Sequence, residues 1–492
     1  MIPIGVLTDS YKASHPFLYP PAKERVAYGE FRCSFERDLT DQRILFYGMR
    51  YIVEKYLERR WTQSDLEDSC SFFSTHNVGY GAYPFPRELF QRIIDEHDGW
   101  FPIKVTGLSE GEVIYPHTPV YTVTATEEFA GLVTWMETLL TMVWYPTTVA
   151  TLSRRIRDLI EVAFHQSVEL EMHYLLDSRL HDFGFRGCTC VEQAIIGGTA
   201  HLLSFTGTDT AAAAAHVQFH LNEGRPVGQS IPATEHSVMT AFGSEREAIL
   251  QTMEQFGDGA FACVMDSYDY ANALEVVLPT VIESFKLKSG GFMVLRPDSG
   301  DSLQAVLDAL VAADRVFGSD VNSLGFKVLR GCGVVQGDGI DYNQIQRIIE
   351  GVLSSGYSAQ NVVFGMGSNL LHKIHRDTMS FATKLSFVRD ADGASRDVCK
   401  TPKTDVQKFS LPGLFSVKKN AIGVPMVHPL GQEPEGPELL QVYYDHGPVT
   451  LKRSFDDIRK TAMANWERLP KVADPISPAL KEKIKLATAN RH

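Results

Sequence analysis

Arg296-Pro297-Asp298-Ser299-Gly300 packs a cation, a carboxylate, a hydroxyl and a glycine into one short stretch, directly after the apolar run Phe292-Met293-Val294-Leu295. That combination suits a ligand carrying both negative charge and hydroxyl groups, because guanidinium pairs with phosphate and carboxylate accepts from a sugar. A surface Arg–Asp pair beside a turn proline would account for the stretch equally well. Other cations stand in comparable places. Arg186, Arg376, Lys384 and Lys408 lie on or just after further polar loops, and with Arg296 they suggest a polyanionic small molecule. Asp298, Asp338 and Asp341 offer carboxylates for ribose hydroxyls or for a magnesium ion bridging phosphates. Phe183 and Phe185, on either side of Gly184 and next to Arg186, add a flat apolar surface for a ring.

These residues need a scaffold that brings loops together. The apolar run before Arg296 reads as a buried strand, and Leu303, Val306, Leu307, Leu310 and Val311 after it have helical spacing, with N-cap candidates between Ser299 and Ser302. The same order of short apolar run, tight polar cluster and helix recurs. It is met at His181-Asp182-Phe183-Gly184-Phe185-Arg186-Gly187, Gly207-Thr208-Asp209-Thr210, Ser230 to His236, Asp266 to Asp269, Gln336 to Gly339 and Gly365 to Asn369. Successive βα units of this kind predict a β/α barrel whose polar loops share the rim at the strand carboxyl ends. An open doubly wound sheet is the alternative, since periodicity does not reveal closure. Gly365-Met366-Gly367, before a helix expected near Leu370, could hold an anion on its amides, although glycine at a strand-to-helix turn more often serves conformation alone. Gly331-Cys332-Gly333 lacks the third glycine of a dinucleotide fingerprint, and there is no Walker A sequence or convincing Ser or Cys nucleophile motif.

Residues 1–150 read as an α+β lobe, with a strand over 26–36, a helix over 44–57, two strands within 103–124, and a long helix over 127–166 interrupted at Tyr145-Pro146. The barrel is expected over 151–385. Residues 386–492 carry hairpin and short-strand signals around Asp392-Gly393 and are expected to pack back on the first lobe. A chain of 492 residues with 44% hydrophobic and 22% charged content fits a globular enzyme of more than one domain. Its net charge of −13 argues against binding nucleic acid or anionic membrane through the overall field. Seven cysteines without zinc-site spacing, and a start lacking a signal-peptide pattern, point to reduced thiols and a cytoplasmic location.

Asp9-Ser10-Tyr11-Lys12, HDFGFRG at 181–187, GTDT at 207–210, SIPATEHS at 230–237, DSYD at 266–269, RPDSG at 296–300, QGDG at 336–339 and Arg376-Asp377 form an ordered set. In order and spacing this set resembles the nicotinamide phosphoribosyltransferase family over nearly the whole chain. The resemblance implies a type II phosphoribosyltransferase-like β/α barrel with a second α+β lobe built from both termini. It further implies a homodimer with shared active sites, magnesium and ATP as cofactors, and transfer of phosphoribosyl from phosphoribosyl pyrophosphate to nicotinamide, giving nicotinamide mononucleotide and pyrophosphate.

By matching position, Phe183 would stack on one face of the pyridine and the partner subunit's Tyr11 on the other. Asp209 would accept from the carboxamide, Arg296 would contact both substrates, and Asp298 would hold ribose. Gly337, Asp338, Gly367 and Ser368 would meet ribose and phosphate, while Arg186, Arg376, Lys384 and Lys408 serve phosphate or pyrophosphate. Ser230 falls in the SIPATEHS motif and joins the substrate-binding set. His236 matches the histidine that the family phosphorylates with ATP, with Glu235 and Asp266 as its orienting partners. Two departures stand out: Ser368-Asn369 replaces glycines found in many relatives, and Phe185 stands where relatives can carry tyrosine. The rival readings are a nicotinate phosphoribosyltransferase, which Asp209 disfavours by repelling a carboxylate, and a non-catalytic binding protein on the same fold.

Overall fold

The computed structural model describes residues 2–284, 291–400, 409–450 and 453–489, and the chain divides into two units, Met1–Thr151 with His375–His492, and Leu152–Ile374. In the second unit the strands Leu180–Asp182, Gly207–Thr208, Ala260–Val264, Phe292–Arg296, Cys332–Gln336 and Val362–Met366 form one parallel sheet. Strand Val362–Met366 pairs with Cys332–Gln336 on one side and with Leu180–Asp182 on the other, so the sheet curls. Its two edges are then joined by the extended segment 229–234. Thr208 N donates to Gln229 O at 3.0 Å and Gln229 N to Thr206 O at 2.8 Å; on the other side Ala262 N donates to Pro232 O at 2.9 Å and Thr234 N to Ala262 O at 3.0 Å. The ring therefore runs in chain order and closes as a β/α barrel. Ser230-Ile231-Pro232 does not read as a strand, because proline breaks a ladder; here it needs only a few hydrogen bonds on either side.

Helices cover the outside of the ring by apolar stripes. Ser302–Phe317 buries Ala305, Val306, Ala309, Leu310, Ala312 and Ala313, and Tyr342–Ser354 buries Ile345, Ile348, Ile349 and Val352. Val311, expected in the stripe, is exposed. The N-cap of the first helix is Asp301, whose carboxylate accepts from Gln304 N at 3.0 Å. Inside, Ala262, Val294 and Val335 pack with Phe183, Ile231 and Val363, and the small side chains leave a lumen of about 600 Å3.

The first unit is built on an antiparallel six-stranded sheet in the order Ser395–Asp397, Phe381–Asp390, Ala22–Phe31, Pro119–Thr126, Ile103–Leu108, Leu440–Asp445. Strand Phe381–Asp390 belongs here by its pairing with Ala22–Phe31, so the barrel unit ends at Ile374 and not at 385. The carboxyl-terminal segment supplies Leu411, Phe415, Val427, Ile476 and Leu480 to a cluster around the buried Tyr28, whose hydroxyl accepts from Leu411 N at 2.7 Å. Two helical expectations change. Residues 44–57 break at Gly48, whose φ of 101° only glycine adopts easily, leaving the strand Ile44–Leu45 before it and a helix after it, Met49–Ile52, which runs on as the π-helical turn Val53–Leu57. Pro146 does not interrupt a helix but sits in the first turn of Trp144–Ser167, where its missing N–H costs nothing. Among the described residues no helix is long and apolar enough to cross a membrane.

Barrel closure generates a stability prediction. The Thr234 hydroxyl accepts from Val264 N at 2.9 Å in a buried setting, so Thr234→Val should strand that amide and destabilise the protein by about 1–3 kcal/mol. Denaturant unfolding checks it, and an unchanged midpoint would mean the contact carries no weight.

Candidate active site

Strand carboxyl ends bring eight of the expected residues into one cavity of about 560 Å3: Phe183, Arg186, Asp209, Arg296, Gly337, Asp338, Gly367 and Ser368 border it. Phe183 is pinned through its N–H to Met366 O at 3.0 Å, and its ring occupies space that two glycines leave open. A Cβ on Gly365 would stand 2.1 Å from that ring and one on Gly337 3.1 Å from it. Gly365 is thus needed for the ring's approach, while Gly367 borders the cavity. The Arg296 guanidinium lies 5.5 Å from the Phe183 ring centre. Asp209 follows the strand Gly207–Thr208; its N–H donates to Asp182 O at 2.9 Å and its carboxylate accepts from Ser230 Oγ at 2.5 Å. A flat ring and an oriented carboxylate therefore face the same space.

The other end of the site is a linked polar cluster. Arg296 donates to Asp298 Oδ1 at 3.1 Å, and Asp298 Oδ2 lies 3.2 Å from His236 Nε2, while His236 Nδ1 shares a hydrogen bond with Ser267 Oγ at 3.1 Å. Nearly half of the His236 side chain is exposed. Asp266 acts one step away: its Oδ2 accepts from Asp298 N at 3.1 Å and from Ser299 Oγ at 2.5 Å. Glu235 accepts from Ser237. The hydrogen-bonding partners of His236 are thus Ser267 and Asp298, where the sequence pointed to Glu235 and Asp266. Asp266 Oδ1 is buried without a hydrogen-bond partner, which fits a hard cation held by one or two carboxylates with phosphate and water completing its shell. No cluster of three or more His, Cys, Asp or Glu forms a metal cage among the described residues.

Several loop details differ from expectation. The helix after Gly367 is only Ser368–Leu371, a single turn with little dipole to offer an anion. Asn369 instead donates to Ile340 O at 2.6 Å and braces one rim loop against the next, and the exposed Lys373 joins the cavity wall. Asp341 caps the helix Tyr342–Ser354 by accepting from Gln344 N at 2.8 Å, and it does not border the cavity. Gln336 Oε1 accepts from Asp338 N at 2.9 Å and orients that turn. Ser267 and Gln336 fall inside the DSYD and QGDG motifs but carry no role of their own in the sequence, and Lys373 lies outside every motif because nothing in its spacing distinguishes it from an ordinary loop residue.

In the first unit, Arg376 and Lys384 border a cavity of about 240 Å3 together with Arg32 and Arg37, two cations the sequence reading did not single out. Glu36 and Arg37 both take left-handed backbone, with φ of 50° and 62°, an arrangement costly enough to require support from the fold. Burial and, second, the Arg32 charge lower the pKa of Lys384. Tyr11 is 53% exposed in a short helical turn and meets His15 edge-on at 5.0 Å between ring centres, so it is no core residue of this chain. Lys408 lies outside the described residues.

Known proteins match in both sequence and fold. Residues 178–432 match the nicotinate phosphoribosyltransferase (NAPRTase) family, and residues 3–105 match the nicotinamide phosphoribosyltransferase N-terminal domain. A nicotinamide phosphoribosyltransferase of Xanthomonas campestris pv. campestris is 39% identical over 84% of this chain and 87% of its own. One from Acinetobacter baylyi is 29% identical over 92% and 95%. The crystal structure of human nicotinic acid phosphoribosyltransferase superposes with a TM-score of 0.64 at 18% identity, covering 98% of this chain and 100% of that one, which speaks for the fold alone. Sequence, domain order and barrel agree: the chain belongs to the nicotinamide phosphoribosyltransferase family.

Proposed function

We propose that the protein transfers phosphoribosyl from phosphoribosyl pyrophosphate to nicotinamide, forming nicotinamide mononucleotide and pyrophosphate in NAD salvage. The observation that carries this reading is the pairing, in one cavity, of the Phe183 ring and the Asp209 carboxylate with Arg296 and Asp338. The carboxamide of nicotinamide donates to Asp209, which Ser230 holds in place. A nicotinate carboxylate would meet Asp209 as a like charge. Asp298 and Asp338 accept from ribose hydroxyls, while Arg186, Arg296 and Lys373 take the phosphate charge.

Loss of pyrophosphate leaves an oxocarbenium-like ribosyl group, so the barrier falls by neutralising the leaving group and by fixing the acceptor at the opposite face. No general base is required, since the pyridine nitrogen attacks with its own lone pair. As that nitrogen becomes quaternary, the Phe183 ring gains a cation–π attraction. Magnesium, when bound, neutralises the diphosphate, with Asp266 and Asp298 the carboxylates suited to hold it. In this proposal two chains form a homodimer in which the partner subunit's Tyr11 covers the second pyridine face, and Arg376, Lys384 and Lys408 bind pyrophosphate. His236 accepts phosphate from ATP; its exposed ring and its hydrogen bonds to Ser267 and Asp298 support that assignment.

Incubation with nicotinamide, phosphoribosyl pyrophosphate and magnesium should yield nicotinamide mononucleotide, and folded protein that makes none would favour a binding role. Asp209→Asn should lower the kcat/KM preference for nicotinamide over nicotinate by on the order of a hundredfold, and an unchanged ratio removes Asp209 from recognition. His236→Ala should abolish ATP hydrolysis while leaving some uncoupled transfer; full hydrolysis in the variant rules the phosphohistidine out. Tyr11→Ala and Asp209→Ala, each nearly inactive alone, should regain about a quarter of wild-type activity when their subunits exchange at random, because one site in each heterodimer carries neither lesion. No recovery in verified heterodimers would place Tyr11 outside the shared site.

A further inference from the structure

Asp182, the last residue of strand Leu180–Asp182, is wholly buried directly behind the acceptor end of the cavity. Its Oδ1 accepts from Gly184 N at 2.7 Å, and its main-chain carbonyl accepts the Asp209 N–H at 2.9 Å. It thus holds the turn carrying Phe183 and the loop carrying Asp209 at once. The second carboxylate oxygen has no hydrogen-bond partner. It lies in a niche where a Cβ on Gly198 would come within 3.0 Å, with Ala213 and Thr210 forming the other walls. The Thr210 hydroxyl stands close enough to favour the charged carboxylate, although neither it nor Oδ2 completes a well-aligned hydrogen bond. A niche of this kind would accept a neutral amide more readily than a charge, since burying an unpaired carboxylate oxygen is costly. The Gly184 contact accounts for one carboxylate oxygen, and the charge shared with the other is unexplained by packing.

We propose that Asp182 is the positioning and specificity residue of the acceptor site, fixing the Phe183 ring relative to Asp209 and adding a second negative charge behind it that opposes any acceptor bearing a carboxylate. The proposal rests on the acceptor reading above. Burial pushes the Asp182 carboxyl up to about 6, against the pull of the Gly184 N–H and the Thr210 hydroxyl and with a further push from the Asp209 charge. Below that pH Asp182 is neutral and Asp209 opposes a carboxylate unaided; above it both charges act. Selectivity for nicotinamide over nicotinate therefore rises with pH. The other charged or titrating side chains on the elements packed around Asp182 include His181, Arg186, Glu192, His201, Asp209 and His216. Burial lowers the pKa of His181. All are common to wild type and an Asp182→Asn variant, so the difference between the two proteins isolates Asp182.

The test is calorimetric binding of nicotinamide and of nicotinate to full-length wild type and Asp182→Asn between pH 5 and 8, with transferase kinetics on the same samples. In the variant the amide oxygen keeps the Gly184 contact and the NH2 group can reach Thr210. The variant should be no less stable than wild type above pH 6, where the native carboxylate carries its desolvated charge. The wild-type affinity ratio should climb on the order of tenfold through pH 6, and the variant should lose that climb by binding nicotinate more tightly at pH 7.5. Three results overturn the proposal: a wild-type ratio indifferent to pH, an identical profile in the variant, or no measurable nicotinate binding to either protein. Intact binding profiles with no nicotinamide mononucleotide formed would instead overturn the transfer reaction and leave the role of Asp182 standing.

Discussion

The barrel depends on how its two sheet edges are satisfied. An unpaired edge leaves a row of amides and carbonyls that must find partners, and here the Gln229–Thr234 stretch supplies them to Gly207–Thr208 on one side and to Ala260–Val264 on the other. That stretch also determines the chemistry. Closing the ring sets Ser230 against Asp209 at one end and delivers His236 to Asp298 at the other. The Ser230–Asp209 contact and the histidine cluster therefore share one structural cause, a short proline-containing extended segment that few sequence rules would recognise.

Electrostatics in the site run against the protein's overall charge. The chain carries a net charge of −13, yet Arg186, Arg296 and Lys373 border the same cavity. Local arrangement outweighs net charge because screening confines an exposed charge to about 10 Å at ordinary ionic strength, while groups in a shared cleft act at hydrogen-bond distance. The cations are also interlocked with the aromatic and acidic parts. Arg296 touches both Asp298 and the Phe183 ring, so one guanidinium ties the acidic and aromatic parts of the cavity together. The two carboxylates at the acceptor end have different environments: Asp209 borders the cavity, whereas Asp182 is sealed behind it. That contrast leaves the first open to a molecule in the cavity and lets the second act only through its neighbours.

Much of this was legible in the chain itself. Local order along a βα unit is encoded in consecutive residues, so each apolar run, polar turn and helical stripe could be read without knowing its neighbours, and the loops holding Phe183, Asp209, Arg296 and Asp338 followed from that pattern. Helix caps were less secure, since Asp301 and Asp341 differ from candidate ligands only in where the following amides point. The ordered motifs added the family and with it the reaction. Ring closure, the Gly365 space under Phe183, the Ser267 and Asp298 partners of His236, and the bracing of Ile340 by Asn369 were decided only in three dimensions. The physical reason is distance along the chain: these contacts join residues from 21 to 182 positions apart, and periodicity carries no information beyond a single element.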